Sequence, residues 1–293
     1  MPLHAIKGLI FDYGGTIDTA SVHWSEVLWQ GYQHVAVPVS KEQFREAYVH
    51  GERTLAKYPL IRPEHNFLDL LRIKVDIEIR YLVDQGCLPN VQCSMVKNAI
   101  EQEQSQACFG YAERERFRRS QCSMFNAQCS MPNVQCPMFN VQWSMFNGQC
   151  SMPNAIARFC YDYVLKVLET SRPVLQRLSE RYPMVLVSNF YGNIHTILTD
   201  FQLPFFREVI ESAVVGVRKP DPRIFQMGVD ALGLQPHEVA VIGDSYDKDI
   251  VPAKSIGCQT IWFKGIGWNN EQPDGTAADA IIESFEALNT ILP

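Results

Sequence analysis

The chain has 293 residues, of which 46% are hydrophobic and 20% charged, and its formal net charge is −6 at pH 7. The length predicts about two domains with a real apolar core, and the negative charge argues against nonspecific binding to nucleic acid or an anionic membrane. No apolar run approaches the ~18 residues of a membrane span, and the N-terminus lacks a signal-peptide pattern. We therefore expect a cytoplasmic protein with reduced cysteines.

An apolar stretch near the N-terminus ends in an acid and two glycines. Residues 9–18 read Leu-Ile-Phe-Asp-Tyr-Gly-Gly-Thr-Ile-Asp, which predicts a buried parallel strand that ends at Asp12, followed by a glycine turn. Open α/β sheets bind ligands at the carboxyl ends of their strands, and the backbone amides of such a turn can meet an anion. Taken alone, the stretch also fits an Asp that merely caps a turn.

Three helices are predicted next, before residue 87. The first follows the apolar spacing from Trp24 to Tyr32. The second covers residues 41–58, with Ser40 as N-cap, and the third begins at Pro63. Each prediction rests on apolar residues that recur three or four positions apart, together with a residue suited to start the helix.

A repetitive segment interrupts this pattern. Residues 121–155 consist of seven-residue units of the type QCSMFNA, and a related unit occupies residues 92–98. Prolines within the units exclude a continuous coiled coil, and the cysteine spacing differs from the close pairs of structural zinc sites. We interpret residues 87–155 as a low-complexity insert. Helical patterning resumes at Ile156, and Arg172-Pro173 is predicted to end the segment inserted before the second apolar strand.

Short apolar runs alternate with helical patterns in the rest of the chain. Strands are predicted at residues 185–188, 208–212, 239–242, 260–263 and 280–282. Helices are predicted at residues 194–200, 224–232 and 250–256, and after Ser284. This alternation predicts a mostly parallel, doubly wound α/β sheet with helices on both faces.

Polar side chains follow several of these predicted strands. They are Ser188 with Asn189, Lys219 before a Pro-Asp-Pro sequence, and Asp244 with Asp249. Carboxylates and a lysine at neighbouring strand ends can bind a divalent cation and a phosphate, because Mg²⁺ prefers oxygen ligands and lysine pairs with phosphoryl oxygens. An aspartate in that position can act as a nucleophile and form an acyl-phosphate.

The order of these stretches resembles the four signature motifs of the haloacid dehalogenase superfamily. The resemblance covers the first 18 residues and nearly everything after about residue 173. It implies a Rossmann-like core formed by residues 1–18 and 173–293. It also implies a smaller, mostly helical cap formed by residues 19–172, which the insert at about 87–155 interrupts.

The resemblance assigns roles to the matching residues. The catalytic residues it implies are the nucleophile Asp12, together with Ser188 and Lys219. The phosphate-binding residues are Thr16, which also braces the motif-one loop, Ser188, Asn189 and Lys219. The Mg²⁺ ligands are Asp12, the backbone carbonyl of Gly14, Asp244 and, through water, Asp249. Asp247 matches no motif position, and we interpret it as a surface helix residue.

Gly14 departs from the phosphatase pattern of this superfamily. The phosphatases usually carry a second aspartate there, which protonates the leaving group and activates water. Glycine keeps the backbone carbonyl, so the resemblance implies metal binding without this general acid–base group, which typically contributes about 10²–10⁴-fold. Asp18 and Glu26 are candidates for a substitute acid. We therefore expect a slow, Mg²⁺-dependent phosphatase that acts on a small phosphorylated metabolite.

Two alternatives stay open. A metal-independent 2-haloacid dehalogenase also lacks the second aspartate, but the motif around Asp244 and Asp249 follows the phosphatase form. A catalytically impaired phosphate- or partner-binding relic would explain both Gly14 and the interrupted cap. No nucleic-acid or membrane partner is expected, and the sequence leaves the oligomeric state open.

Overall fold

The structure is a computed structural model that describes residue 3 and residues 5–89, 151–268 and 273–292. The chain forms two compact units. The first unit comprises residues 1–30, 61–69 and 159–293, and the second comprises residues 31–60 and 70–158. The repeats before residue 151, including their cysteines, lie outside the described residues.

The first unit contains a six-stranded parallel sheet. Its strands are β1 (Gly8–Phe11), β2 (Met184–Ser188), β3 (Glu208–Glu211), β4 (Val239–Gly243), β5 (Gln259–Phe263) and β6 (Ala280–Ile282). Their order is β3-β2-β1-β4-β5-β6, which is the doubly wound order of Rossmann-like folds. The predicted α/β class is confirmed.

Helices connect the strands and form most of the remaining described chain. They are α1 (Trp24–His34), α2 (Lys41–Lys57), α3 (Phe67–Asp84), α4 (Ser151–Ser179), α5 (Ile194–Asp200), α6 (Ser212–Val215), α7 (Arg223–Leu232), α8 (Val251–Ser255) and α9 (Leu288–Ile291). A π-helical turn, Tyr246–Ile250, precedes α8. Among the helices of the described residues, none is long and apolar enough to cross a membrane.

The central strands are buried because apolar residues on both sides cover them. Every residue of β1, β2 and β4 is buried, which explains why these strands read as continuous apolar runs instead of alternating patterns. Helix α7 packs against β1, β2 and β3, and its Phe225 and Val229 join Ile10 and Val187 in one core cluster. Full burial of each such side chain contributes about 1.5–3 kcal/mol.

The register of the sheet brings the ends of three strands together. Phe11 at the end of β1 pairs with Leu186 of β2 and Ile242 of β4. The strand order runs from β1 through β2 to β3 on one side, and through β4 to β5 and β6 on the other. The crevice between β1 and β4 is therefore the topological switch point, where open α/β sheets bind their ligands.

The predicted start of the third helix is wrong. Helix α3 begins at Phe67 instead of Pro63, and the side chain of Asn66 accepts a hydrogen bond from the N–H of Asp69 at 2.9 Å. An Asn side chain that accepts from the first turn is a strong N-cap. The helix therefore starts after the capping residue and not at the proline. The Ser40 cap of α2 is confirmed.

The fourth helix extends beyond the segment that the sequence pattern marks. Helix α4 begins before Ile156 and continues through Pro173. A proline inside a helix costs about 3 kcal/mol, because it removes a backbone hydrogen bond and crowds the preceding turn. Val174, Leu175 and Leu178 follow this proline on the helix and are buried. Their burial offsets the cost of the proline, so the helix does not break there.

The second unit buries a carboxyl group on α3. Glu78 has no exposed surface, and its Oε2 accepts a hydrogen bond from the hydroxyl of Tyr32 at 3.1 Å. Lys74, one turn earlier on the helix, forms an ion pair with Glu52. Burial raises the pKa of Glu78 to about 7, although Lys74 and the Tyr32 hydrogen bond lower it. The folded chain therefore holds this carboxyl protonated up to neutral pH.

Replacing Glu78 by Gln should make the protein less sensitive to alkaline pH. Because the pKa rises from 4.5 to about 7 on folding, the stabilisation from the bound proton is complete below pH 4.5 and is lost as pH rises through 7. The shift corresponds to roughly 3 kcal/mol. Thermal unfolding between pH 5 and pH 8 should show a smaller drop in Tm for the variant than for the parent. Glu46→Gln, at an exposed position of α2, is the control, and equal drops in all three proteins would contradict the prediction.

Candidate active site

Three carboxylates of the first unit meet at the switch point of the sheet. Asp12 follows β1, Asp244 follows β4, and Asp249 lies in the π-helical turn after β4. We call these three residues the acidic cluster. One oxygen from each carboxylate lies within 4.8 Å of the other two. Carboxylate oxygens at this spacing suit a hard divalent cation such as Mg²⁺.

The ammonium group of Lys219 lies between two of these acids. Its Nζ donates hydrogen bonds to Oδ1 of Asp12 at 2.5 Å and to Oδ1 of Asp249 at 2.7 Å. Burial alone would lower the pKa of Lys219, but the charges and hydrogen bonds of the two aspartates raise it above its ordinary value. Lys219 therefore carries a positive charge. When all three acids are ionised, they and Lys219 together carry a net charge of −2, which one Mg²⁺ ion would neutralise.

Burial of the acidic cluster disfavours its ionised form. Burial raises the pKa of Asp12 to about 6, against the lowering effect of Lys219, and the charge of Asp249 raises it further. Burial, Asp12 and Asp249 hold the pKa of Asp244 well above its ordinary range. A cation bound among these groups would favour their charged forms. The donor chemistry and the excess negative charge therefore both fit Mg²⁺.

Thr16 links two members of the acidic cluster. Its Oγ1 lies 3.2 Å from Oδ2 of Asp12 and 3.1 Å from Oδ1 of Asp244, and it accepts a hydrogen bond from the N–H of Asp244 at 3.0 Å. The indole N–H of Trp262 on β5 donates to the carbonyl of Asp244 at 2.9 Å. These contacts hold Asp244 beside Asp12, although the two residues are 232 positions apart in the chain.

Two glycines provide the space that the acidic cluster occupies. A Cβ on Gly15 would lie 2.4 Å from Oδ2 of Asp244, and a Cβ on Gly243 would lie 2.5 Å from Cβ of Asp249. Gly15 also has a φ of 103°, in the region that favours glycine. Gly14 is different, because the nearest atom to a Cβ there would be Nε1 of Trp24 at 3.9 Å. The turn therefore has room for a side chain at residue 14 but not at residue 15.

Asp18, a candidate for the substitute acid, stabilises the glycine turn. Its Oδ1 accepts a hydrogen bond from the N–H of Gly15 at 2.7 Å, and its Oδ2 accepts one from Nε1 of Trp24 at 3.1 Å. Burial raises the pKa of Asp18 to about 7, although the hydrogen bond from Gly15 lowers it. Both oxygens thus have partners, one in the turn and one at the start of α1. Glu26, the other candidate, lies in the first turn of α1 and is partly buried.

The two polar residues after β2 have different surroundings. Ser188 ends the strand and is 1% exposed. The side chain of Asn189 bonds the main chain of Lys219: its Oδ1 accepts from the Lys219 N–H at 2.9 Å, and its Nδ2 donates to the Lys219 carbonyl at 3.1 Å. Phosphate binding by Asn189 stays a prediction. The contact between Asn189 and Lys219 could not be predicted from the sequence, because no local pattern links the two positions.

Glu211 is a further buried acid at this edge of the sheet, and it was not among the predicted site residues. It ends β3 directly beside Ser188 and is 2% exposed. Its carboxylate accepts a hydrogen bond from the N–H of Gly192 and bonds the backbone of Asn193 and Ile194. Glu211 therefore holds the loop that follows β2. The sequence signal that could have identified Glu211 is the one that identified Asp12, an acid near the end of a predicted strand.

The acidic cluster and the buried Lys219 thus lie together at the switch point of a doubly wound α/β sheet. Over part of its length the chain is similar to the haloacid dehalogenase superfamily. The family model described as haloacid dehalogenase-like hydrolase matches residues 153–257, which include every predicted site residue after the insert. The predicted family is thereby confirmed.

Several curated proteins resemble parts of this chain. The glyceraldehyde 3-phosphate phosphatase of Pyrococcus abyssi is 34% identical over 110 residues, which cover 36% of this chain and 45% of that protein. The haloacid dehalogenase-like hydrolase domain-containing protein 3 of Mus musculus is 30% identical over 139 residues, 46% of this chain and 54% of that protein. The chain thus spans about half the length of these relatives.

A solved structure of an L-2-haloacid dehalogenase has the same fold. The alignment covers 99% of this chain and 100% of the dehalogenase chain, with a TM-score of 0.52 and 16% sequence identity. At this identity the likeness concerns the fold alone.

Proposed function

We propose that this protein is a Mg²⁺-dependent phosphatase that hydrolyses a small phosphorylated metabolite through an aspartyl-phosphate at Asp12. The observation that carries the proposal is the position of the Lys219 ammonium, bonded to Asp12 and Asp249 within the acidic cluster. Relatives named as phosphatases support the reaction class. We also propose that the helices within residues 19–172 act as a cap that selects the substrate.

The proposed Mg²⁺ ligands are Asp12, the carbonyl of Gly14, Asp244 and, through water, Asp249. When bound, the cation would neutralise charge on the phosphate and on the acidic cluster. Thr16 keeps two of these carboxylates together through its hydroxyl. Lys219 supplies the fixed positive charge that a phosphoryl group needs when it approaches the carboxylate of Asp12.

In the proposed reaction, an oxygen of the Asp12 carboxylate attacks phosphorus. The new O–P bond forms as the bond from phosphorus to the ester oxygen breaks, and the leaving oxygen takes a proton from water. Ser188 and Lys219 bind the oxygens of the phosphoryl group. Water then attacks phosphorus in the acyl-phosphate, which releases inorganic phosphate and restores the carboxylate of Asp12.

Substrates with good leaving groups should react fastest. Gly14 supplies no proton, so the alkoxide of a poor leaving group departs without general acid catalysis, which elsewhere contributes about 10²–10⁴-fold. Acyl and aryl phosphates depend less on general acid catalysis, because their leaving groups are weaker bases. The proposal therefore predicts slow hydrolysis of alkyl phosphates and faster hydrolysis of acyl phosphates.

Replacing Gly14 by Asp should speed the hydrolysis of alkyl phosphates by about 10²-fold or more, because it adds a general acid. The side chain has room there, since the nearest atom to its Cβ would be 3.9 Å away. Gly14→Asn is the matched control, because it fills the same space without an ionisable group. Steady-state rates on an alkyl and an acyl phosphate measure the effect. Equal rates for the two variants would mean that the acid comes from another residue.

A substrate panel tests the function. It combines alkyl, aryl and acyl phosphates with 2-haloacids, each with and without Mg²⁺. Phosphate release that requires Mg²⁺ is the expected result. Halide release without metal would instead establish a dehalogenase. No turnover of any substrate, with Mg²⁺ binding intact, would indicate the phosphate- or partner-binding relic.

A further inference from the structure

The side chain of Asn189 makes a reciprocal pair of hydrogen bonds with the main chain of Lys219. One carboxamide donates to the carbonyl and accepts from the N–H of the same residue, at 3.1 Å and 2.9 Å. Only Asn and Gln side chains offer an amide donor and acceptor together. The pair joins the end of β2 to the loop between α6 and α7, which carries Lys219, in the way that a neighbouring strand would.

The loop that carries Asn189 is itself held in place. The N–H of Phe190 donates to Oγ of Ser212 at 3.2 Å, and the N–H of Gly192 donates to the buried carboxylate of Glu211. Both partners lie at the end of β3 or directly after it. Asn189 therefore directly follows β2, and the residues after it are bonded to the end of β3.

The position of the Lys219 ammonium depends on where its main chain lies. A lysine side chain is a flexible four-carbon stem, and Lys219 has only 4% of its surface exposed. At its tip, Nζ contacts Asp12 and Asp249. At its base, the Asn189 carboxamide bonds both polar groups of the main chain. The stem is thus fixed at both ends.

We propose that Asn189 is a positioning residue for Lys219, and that its side chain does not bind the phosphate. Its carboxamide sets the main chain from which the ammonium reaches the acidic cluster. The catalytic consequence rests on the proposed function, whereas the structural relation between the two residues does not.

Chemical labelling tests this relation without any enzymatic assay. Reductive methylation of the folded protein with formaldehyde and a borane, followed by peptide mass spectrometry, measures the labelling rate of Lys219 against that of exposed Lys248. Asn189→Ala removes two hydrogen bonds, so the relative rate at Lys219 should rise about ten- to hundredfold. Asn189→Asp keeps the acceptor for the Lys219 N–H and should give an intermediate rise.

Asn193→Ala is the matched control. Asn193 lies in the same loop, is 1% exposed, and its Nδ2 donates to a backbone carbonyl, that of His65, at 2.9 Å. Asn193→Ala should leave the relative labelling of Lys219 within about twofold of the parent, because the hydrogen bond that it removes is comparable but does not involve Lys219. Unchanged labelling of Lys219 in both Asn189 variants, or an equal rise in Asn193→Ala, would overturn the proposal. Circular dichroism shows whether a variant is folded. If Asn189→Ala is unfolded, the labelling of Asn189→Asp decides the outcome.

A double-mutant cycle tests the catalytic consequence. Asn189→Ala should lower kcat about ten- to hundredfold when Lys219 is present, and less than about twofold when Lys219 is replaced by Met. Equal losses in both backgrounds, with a rise in KM, would mean that Asn189 binds the phosphate directly. Absence of turnover in the parent protein would refute the proposed function alone, because the labelling experiment still measures the positioning of Lys219.

Discussion

Replacing Asp12 by Asn should abolish Mg²⁺-dependent phosphate release, with a loss of about 10⁴-fold or more. An amide is a poor nucleophile toward phosphorus, and the substitution also removes one of the three carboxylates of the acidic cluster. Mg²⁺ affinity should fall as well. Initial rates with an acyl phosphate measure the first effect, and calorimetric titration with Mg²⁺ measures the second.

The control for this variant is Asp247→Asn. Asp247 lies in the same π-helical turn as Asp249, and its side chain is exposed. It should retain the parent rate and the parent Mg²⁺ affinity, because exposed surface charges contribute little. If Asp12→Asn kept a tenth of the parent activity, Asp12 would not be the nucleophile. The hydrolysis would then have to proceed by direct attack of water.

Gly15→Ala should destabilise the protein by about 3 kcal/mol or more and weaken Mg²⁺ binding. The added Cβ would lie 2.4 Å from the carboxylate of Asp244, so either the turn or the acid must move, and overpacking of this kind typically costs about 1–3 kcal/mol. The φ of 103° adds strain of about 1–3 kcal/mol for a residue with a side chain. Denaturant unfolding and Mg²⁺ titration measure the two effects.

Gly14→Ala is the neighbouring control for this prediction. A Cβ at residue 14 meets nothing closer than Nε1 of Trp24 at 3.9 Å, so the change should cost less than about 1 kcal/mol. It should also leave the carbonyl of residue 14 available to a cation. If the two alanine variants lost equal stability and affinity, the crowding at Gly15 would not be what keeps Asp244 in position.

Together, the two predictions separate the chemistry of the site from its construction. Asp12→Asn removes the proposed nucleophile and leaves the space around it intact. Gly15→Ala leaves every acid in the chain and changes only the room that Asp244 occupies. Loss of Mg²⁺ binding in both variants would show that the carboxylates must be present and also correctly spaced.

The sequence alone determined the class of the fold and the order of the strands along the chain. Continuous apolar runs such as Val185–Ser188 can form only buried strands or buried helices, and their short length and alternation with helical patterns favour a parallel α/β sheet. The sequence also placed Asp12 and Asp244 at strand ends, because each directly follows such a run. Parallel strands end at a common edge, so these acids could be expected to lie near one another.

Local sequence patterns place helix boundaries incorrectly where tertiary packing and side-chain caps outweigh the helix propensity of single residues. Pro63 is a favourable first residue of a helix, but the side chain of Asn66 caps α3 three residues later. Pro173 disfavours a helix interior, but the buried residues that follow it keep α4 continuous. In both places the deciding contact is a side chain whose position the local sequence does not specify.

Only the tertiary structure decided how the site is held together. The carboxamide of Asn189 binds the main chain of a residue 30 positions away, and a Cβ on Gly15 would collide with Asp244, which follows another strand. Neither contact follows a regular sequence spacing, because the number of residues between two partners depends on the length of the segment that connects their strands. Hydrophobic periodicity specifies which face of an element is buried, whereas contacts between loops arise only after the strands have been placed side by side.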